Sequence, residues 1–174
     1  NSKIRVIPQG FPTSTLISFF AYRKMFAELN KIALENNLEI EVLNKQQLQE
    51  MGAECIVAVN KGSGREAHII TIKYNGNGNA PYVALVGKGL TYDAGGYNIK
   101  TQSMSGMKYD MCGAANMLAI LEACAKLQLP INVKCVIGTT ENKIGPMGYV
   151  EGDVLKSLNG KTVEVTNTDA EGRL

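Results

Sequence analysis

Four carboxylates, interleaved with cationic side chains, are concentrated in three short stretches of the chain, at residues 87–100, 108–113 and 167–173. The acids are Asp93, Asp110, Asp169 and Glu171, and the cations include Lys88, Lys100 and Arg173. Carboxylates crowded together repel one another strongly unless positive charge lies among them. A pair of divalent cations about 3.5–4 Å apart supplies such charge and activates a bridging water molecule. Oxygen ligands suit magnesium, manganese or zinc, and spacing alone does not choose among these metals.

The positions of the three stretches favour a shared site, because each of them follows a predicted strand. In open α/β sheets, sites collect just beyond the carboxyl ends of the strands. Asp169 and Glu171 are two residues apart, so both side chains point the same way if the segment is extended. Glycines around Lys88 and Asp93 allow close approach of the backbone and positive φ angles.

Each acidic residue also has a purely structural interpretation. Asp110 precedes a predicted helix and is placed to cap it, and Asp93, followed by Ala-Gly-Gly, is typical of a turn. Residues 169–172 fit a solvated loop. These interpretations leave unexplained why all three stretches follow strands. Phosphate binding is disfavoured, because Gly87-Lys88-Gly89 lacks the order of a phosphate-binding loop and does not lead directly into a helix.

The composition is that of a globular domain. Of the 174 residues, 45% are hydrophobic and 20% are charged, which excludes a disordered chain and suits one full-sized domain. The formal net charge of +2 is too small to make nucleic-acid binding the default interpretation. No apolar run approaches the roughly 20 residues that cross a bilayer, and the residues from Asn1 to Arg5 lack the order of a secretion signal.

Cysteine and histidine add little to a metal site. The four cysteines are scattered without a C-x-x-C pair, which argues against a structural zinc site and for a reduced compartment. His68 is the one histidine of the sequence, and it lies in a strand-like run where we expect it to pack. A single histidine excludes zinc sites built from several histidines.

The segments that must position the three stretches alternate between strands and helices. Apolar spacing predicts a helix over 12–36. An Asn cap, a Gln three residues later and a closing Gly predict a short helix over 44–52, and another helix is predicted from about 112 to 127. Strands are predicted at 39–43, 55–59, 68–74, 82–86, 132–137 and 163–166.

This alternation predicts an α/β fold with a mixed, mostly parallel sheet flanked by helices. The continuous apolar run at 83–86 is typical of a central strand buried on both faces. The glycine-rich segment that follows, residues 87–109, is predicted to be a long loop that leads into the next helix.

The last residues carry a specific resemblance. Residues 167–174, Asn-Thr-Asp-Ala-Glu-Gly-Arg-Leu, resemble without a substitution the signature of the leucyl aminopeptidase family, the M17 family of cytosol aminopeptidases. Residues 86–100 and 107–115 are similar to the two metal-binding stretches of that family, and Glu141-Asn142 and 151–154 are similar to its approach to the signature. The resemblance implies a three-layer α/β catalytic domain. We expect residues 1–174 to be part of it, with the separate amino-terminal domain and the part after the signature absent.

The resemblance also implies a role for each member of the three stretches. The tightly held metal would have the ligands Lys88, Asp93, Asp110 and Glu171. The exchangeable metal would have Asp93, Asp169 and Glu171, with the Asp169 carbonyl contributing. Lys100 corresponds to the lysine that polarises the scissile carbonyl, and Arg173 to the arginine that holds a bicarbonate ion for proton relay. A lysine ligates a metal only as the neutral amine, which adjacent cations favour.

The implied activity is that of a two-metal aminopeptidase that removes leucine-like amino-terminal residues from peptides. The resemblance implies two divalent ions, zinc or manganese, with magnesium or cobalt as further options at the exchangeable site. It also implies bicarbonate, a cytoplasmic location and a homohexamer at full length, without nucleic-acid or membrane partners. A non-catalytic binding or assembly module and a two-metal hydrolase of phosphate esters remain as alternatives.

The sequence departs from the family pattern at two places. The loop from Lys100 to Asp110 is one residue shorter than is common and lacks an acidic residue usually found there. Lys143-Ile144 stands where the family commonly has Met-Pro. Both departures bear on loop geometry and on substrate preference.

Overall fold

The computed structural model describes residues 33–36 and 38–174. The predicted helix over 12–36 therefore lies outside the described residues except at its end, where residues 33–35 are helical. Within the described ranges, no helix is both long enough and apolar enough to cross a membrane.

A four-stranded mixed sheet forms the centre of the fold. Its strands are β1 (Glu39–Leu43), β2 (His68–Asn75), β3 (Tyr82–Asp93) and β4 (Asn132–Asn142), in the order β1-β2-β4-β3. The pairs β1·β2 and β2·β4 are antiparallel, whereas β3 and β4 are parallel. The α/β class with a mixed sheet is confirmed, but parallel pairing is confined to β3 and β4 among the described strands rather than predominating.

The remaining elements are helices and one small hairpin. Beyond the helical residues 33–35, the described α-helices are α1 (Lys45–Glu50), α2 (Glu54–Asn60) and α3 (Cys112–Lys126). Two 3-10 helices span Met104–Tyr109 and Thr168–Arg173, and the hairpin consists of β5 (Val154–Lys156) and β6 (Thr162–Glu164). The strand predicted at 163–166 is therefore shorter and begins one residue earlier, and its partner β5 was not predicted.

Helices cover both faces of the sheet. Ile70 and Ile72 of β2 pack in one apolar cluster with α3, whereas Ile69 packs with Leu48 of α1 and Val57 of α2. Because neighbouring residues of a strand point to opposite faces, α3 lies on one face and α1 and α2 lie on the other. This arrangement gives the three layers that the resemblance implied.

Local sequence signals place several elements to within one residue, namely β1, β2 and α3. Helix α1 begins with the predicted capping box: the Asn44 side chain accepts from the Gln47 N–H, and the Gln47 side chain accepts from the Asn44 N–H. Gly52 follows the helix with a φ of 80°, a left-handed conformation that favours glycine after a helix.

Residues 55–59, predicted as a strand, belong instead to helix α2. A run of five apolar residues is too short for periodicity to distinguish a buried strand from a buried helix. Here the helix is enclosed, since Val57 packs with α1 while Ala58 and Val59 pack with Leu155 of the small hairpin. Consecutive positions of this helix are therefore apolar, and this pattern resembles that of a buried strand.

Strand β3 differs from its prediction in place and in length. Val83 and Val86 are 53% and 76% exposed, and β3 lies at the edge of the described sheet, so the prediction of a central strand at 83–86 is wrong. The strand also continues to Asp93, through a segment predicted as loop. A Cβ on Gly87 would come within 2.6 Å of the Ala114 Cα. The glycine that suggested a loop instead lets α3 pack directly on the strand.

Strand β4 is the central partner and is longer than predicted. It continues past the predicted end at 137 to Asn142. Val133, Cys135 and Ile137 lie in the core beneath α3. Because β3 and β4 are parallel and Asp93 pairs with Asn142, the carboxyl ends of the two strands coincide at one edge of the sheet.

Candidate metal centre

The three acidic stretches meet at the carboxyl ends of β3 and β4. Asp93 is the last residue of β3, and Glu171 lies in the 3-10 helix over Thr168–Arg173. Asp93 and Glu171 are 2% and 3% exposed. One carboxylate oxygen from each of Asp93, Asp169 and Glu171 lies within 4.8 Å of the others, and these three residues are called the carboxylate cluster below.

Lys88 joins the second stretch to this cluster. Its Nζ lies 2.8 Å from Asp110 Oδ2 and 2.8 Å from Glu171 Oε1. Burial disfavours the charge of Lys88, but the hydrogen bonds and charges of Asp110 and Glu171 outweigh burial and raise its pKa above the ordinary lysine value. Lys88 is therefore a protonated cation that neutralises two carboxylates at once.

Lys100 neutralises the other side of the cluster. Its Nζ lies 2.9 Å from Asp93 Oδ2 and 2.6 Å from Asp169 Oδ1. Burial opposes the charge here as well, but the hydrogen bonds to Asp169 and Asp93 prevail and raise the pKa of Lys100 well above its ordinary value. Two ammonium groups thus occupy the positions where positive charge is required.

A tight loop returns Lys100 to the cluster. The Lys100 N–H donates to the carbonyl oxygen of Ala94 at 3.0 Å, and Gly95 and Gly96 have φ angles of 90° and 63°. A Cβ on Gly95 would lie 2.3 Å from the Asn98 carbonyl oxygen. Only glycine fits this turn, which explains the paired glycines after Asp93.

Thr168 ties the last stretch to that loop. Its Oγ1 donates to the Gly95 carbonyl oxygen at 2.6 Å and accepts from the Asn98 N–H at 2.8 Å. The Thr168 N–H donates to Asn98 Oδ1 at 2.6 Å. Thr168 is fully buried, so this network fixes the backbone that carries Asp169 and Glu171.

The structural interpretations of single residues are settled by these contacts. The segment containing Asp169 and Glu171 is a 3-10 helix, so the expectation of an extended segment is wrong, although both carboxylates still converge. Helix α3 has no side-chain cap, so Asp110 binds Lys88 rather than capping. Asp93 does form a turn, because its Oδ1 accepts from the Gly95 N–H at 2.9 Å, and it belongs to the cluster as well.

Arg173 is the one predicted site residue that stands apart. It is exposed at the end of the 3-10 helix, two residues beyond Glu171. Within the described part of the chain, no contact joins its guanidinium to the carboxylate cluster. The structure therefore brings together the side chains of Lys88, Asp93, Lys100, Asp110, Asp169 and Glu171.

Lys143, which departs from the family pattern, contacts residues of its own neighbourhood. Its Nζ lies 2.9 Å from Glu141 Oε2 and 5.6 Å from the centre of the Tyr92 ring. Glu141 also accepts from the Ser63 hydroxyl at 2.7 Å. Lys143 therefore neutralises a buried glutamate that lies outside the carboxylate cluster.

Sequence reasoning did not select two buried residues that touch the centre. Asn142 donates to Asp93 and Glu171, and the Tyr149 hydroxyl donates to the Thr168 carbonyl oxygen at 2.7 Å. Glu141-Asn142 is similar to the family's approach to the signature, and this similarity is the available signal for Asn142. Nothing in the local sequence around Tyr149 indicates a role.

Replacing Tyr149 by phenylalanine is expected to lower the free energy of unfolding by about 1 kcal/mol, the usual value of one hydrogen bond. Burial, and then the charges of Glu171, Asp93 and Asp169, raise the pKa of Tyr149 above its ordinary value. The unfolded chain releases this proton at about pH 10, so the stabilisation is present below that pH and is lost above it. Urea unfolding of both proteins at about pH 8 and about pH 10.5 measures the difference, and a difference that did not shrink at the higher pH would contradict the assignment.

The chemistry of the centre fits divalent cations. Three carboxylates of which two are buried offer hard oxygen ligands, and such ligands suit magnesium, manganese and zinc. The two lysine ammonium groups mark where positive charge already lies against these oxygens. A divalent cation that displaced these ammonium groups would find carboxylate oxygens already positioned to bind it.

Comparisons with known proteins place this geometry in a known family. A family model described as the catalytic domain of the cytosol aminopeptidase family matches residues 18–174. A probable cytosol aminopeptidase of Xanthomonas campestris pv. campestris (strain B100) is 49% identical over 138 residues, which are 78% of this chain and 28% of the relative. Another, of Aeromonas salmonicida (strain A449), is 49% identical over 140 residues, which are 80% and 28% of the two chains.

A solved structure supports membership of the same family. The leucine aminopeptidase of Caenorhabditis elegans superposes with a TM-score of 0.82 and is 31% identical, over 93% of this chain and 36% of that one. The chain thus spans about 28% of the length of these two curated relatives.

Proposed function

Since this chain belongs to the cytosol aminopeptidase family, we propose that the protein removes amino-terminal residues, leucine-like ones preferentially, from peptides. The observation that carries the proposal is the convergence of Asp93, Asp169 and Glu171 within 4.8 Å. Paired charges alone would explain lysines beside single carboxylates, but not three acidic oxygens gathered around one point at the carboxyl ends of two strands.

We propose the ligand sets that the resemblance implies. Lys88, Asp93, Asp110 and Glu171 would hold the tightly bound ion, and Asp93, Asp169 and Glu171 the exchangeable one. Bound divalent cations would supply Lewis acidity and a water molecule of lowered pKa. Lys88 would have to lose its proton to act as a ligand, because an ammonium group has no lone pair to offer.

The remaining groups act on the peptide. Lys100, protonated and 18% exposed at its side chain, is suited to donate to the substrate carbonyl oxygen as that oxygen becomes negative. Arg173 is exposed, two residues beyond Glu171 in the chain, and its planar guanidinium is suited to hold a bicarbonate ion that relays a proton. A free substrate amine, unlike an acylated one, has a lone pair to offer the exchangeable ion, which would explain cleavage at the amino terminus only.

The family supports further proposals about the natural protein. Residues 1–174 would form part of a larger catalytic domain, in keeping with the 28% of the relatives' length that the chain spans. We propose zinc or manganese as the metals, with magnesium or cobalt as further options at the exchangeable site. A homohexamer in the cytoplasm is proposed from the same family membership, and the curated relatives are named cytosol aminopeptidases.

The test uses the full-length natural protein, stripped of metal and then given manganese or zinc. We expect metal-dependent release of leucine from leucine amide, and no cleavage of N-acetyl-leucine amide. A phosphate ester, p-nitrophenyl phosphate, serves as the substrate of the rival hydrolase class and is expected to stay intact. Cleavage of the phosphate ester alone, or leucine release that survives complete chelation, would overturn the proposal.

A further inference from the structure

Asn142 occupies a distinctive place beside the carboxylate cluster. It is the last residue of the central strand β4, it pairs with Asp93 in the parallel register, and it is fully buried. A buried primary amide must be hydrogen-bonded to be tolerated. The hydrogen-bond partners of the Asn142 amide therefore indicate the role of this side chain.

The nitrogen of this amide faces three acceptors. Nδ2 lies 2.8 Å from Asp93 Oδ1, 3.1 Å from Glu171 Oε2 and 2.9 Å from the Thr168 carbonyl oxygen. An amide turned by 180° would place its carbonyl oxygen against two carboxylates, so the contacts fix the orientation of the side chain. On its other side, Asn142 Oδ1 lies against Gly96, where an added Cβ would be 3.0 Å away.

The amide and the lysines divide the oxygens of the two carboxylates between them. Asp93 Oδ1 accepts from Asn142, and Asp93 Oδ2 pairs with the Lys100 ammonium group. Glu171 Oε2 accepts from Asn142, and Glu171 Oε1 pairs with the Lys88 ammonium group. The lysines are cations that an arriving metal ion would compete with. The Asn142 amide is neutral and donates from its nitrogen, so a bound cation would not repel it as it would repel an ammonium group. Its hydrogen bonds to Asp93 and Glu171 can therefore persist when a cation binds.

We propose that Asn142 is a positioning residue of the metal centre, one that holds Asp93 and Glu171 so that Oδ2 and Oε1 face the incoming cation. This inference rests on the proposed function, because it assumes that the cluster binds metal. Hydrogen bonds that orient metal ligands commonly account for a factor of about 10–100 in metal affinity or activity. Asn142 is expected to act in this range without contacting metal or substrate.

The rival explanation is that Asn142 only stabilises the fold, and the chain offers a matched control for it. Asn132 begins the same strand and is 1% exposed. Its Nδ2 also faces three acceptors, the carbonyl oxygens of Asn77, Gly78 and Ala80 at 3.4, 2.9 and 2.7 Å. The two asparagines thus share residue type, strand, burial and number of acceptors, but the acceptors of Asn132 are all backbone carbonyls at the far end of β4.

The experiment compares Asn142→Leu with Asn132→Leu in the full-length protein. Leucine has nearly the shape of asparagine and offers no donor. Equilibrium dialysis with manganese or zinc measures metal affinity, thermal unfolding measures stability, and leucine amide hydrolysis separates kcat from KM. Asn142→Leu is expected to lose about 10–100-fold in metal affinity and to fall in kcat, whereas Asn132→Leu loses only stability.

The outcomes separate the two proposals. Unchanged metal affinity in Asn142→Leu, or equal losses in both variants, would overturn the positioning role while leaving the aminopeptidase proposal standing. Wild-type protein that binds no metal would instead overturn the proposed function. If Asn142→Leu does not fold, Asn142→Ala and Asn132→Ala are compared by the same dialysis, and the same two results decide.

Discussion

Replacing Glu171 by glutamine is expected to remove metal binding and with it the hydrolysis of leucine amide. Glu171 is 3% exposed and belongs to the carboxylate cluster, and it is proposed as a ligand of both ions. Glutamine keeps the shape of the side chain but removes the charge that the cations need. Because a ligand is lost rather than an orienting hydrogen bond, the fall in metal affinity should exceed the roughly 10–100-fold expected for the latter.

The fold should survive this substitution in the metal-free protein. Lys88 keeps its ion pair with Asp110 at 2.8 Å, and the glutamine carbonyl oxygen can still accept from Asn142. Thermal unfolding of the metal-free variant is expected to stay cooperative but to move to a lower temperature, because the ion pair between Lys88 and Glu171 is lost. Equilibrium dialysis therefore supplies the decisive measurement. Normal metal stoichiometry with normal turnover in Glu171→Gln would refute the site.

Glu141→Gln provides the matched control for that substitution. Glu141 is likewise a buried glutamate with cationic partners, 6% exposed and 2.9 Å from Lys143 Nζ. It lies outside the carboxylate cluster, so its variant is expected to bind metal with wild-type affinity. Loss of metal in both variants would mean that any buried charge change disturbs the centre, and that Glu171 has no special role.

The residues of the centre could be predicted from sequence because three properties coincide in them. Lys88, Asp93 and Glu171 lie in glycine-rich stretches, carry complementary charges and follow predicted strands, and these are local signals. The convergence of their carboxylates and ammonium groups agrees with that prediction. The resemblance of the Glu141-Asn142 pair points to this segment but not to the partners of Asn142, because Asp93, Thr168 and Glu171 are 49, 26 and 29 residues away.

The errors in the fold have a related cause. Whether 83–86 forms an edge or a central strand depends on which strands pair beside it, and apolar character in one segment does not encode that choice. Residues 55–59 became a helix because partners on two sides, α1 and the small hairpin, bury consecutive residues. In both cases tertiary contacts outweighed a local pattern that was too short to decide.

Lys100→Ala is expected to separate metal binding from catalysis. Lys100 Nζ lies 2.9 Å from Asp93 Oδ2 and 2.6 Å from Asp169 Oδ1, so its ammonium group occupies oxygens that the exchangeable ion would need. Removing it should leave metal affinity at the wild-type level or raise it, because one competitor for those oxygens is gone. The carbonyl oxygen of the substrate, however, loses a donor, and such losses lower kcat by about 10²–10³.

Dialysis and leucine amide kinetics on the same preparation test this separation, with Lys126→Ala as control. Lys126 also pairs with a carboxylate, its Nζ lying 2.6 Å from Glu122 Oε1, but its side chain is 62% exposed and the pair joins successive turns of α3. The control is expected to change neither measurement, since exposed pairs of this kind contribute little. A Lys100→Ala variant that lost metal and turnover together would show that the lysine organises the carboxylates rather than acting on the substrate, because a donor to the substrate alone would lower kcat without releasing the metal.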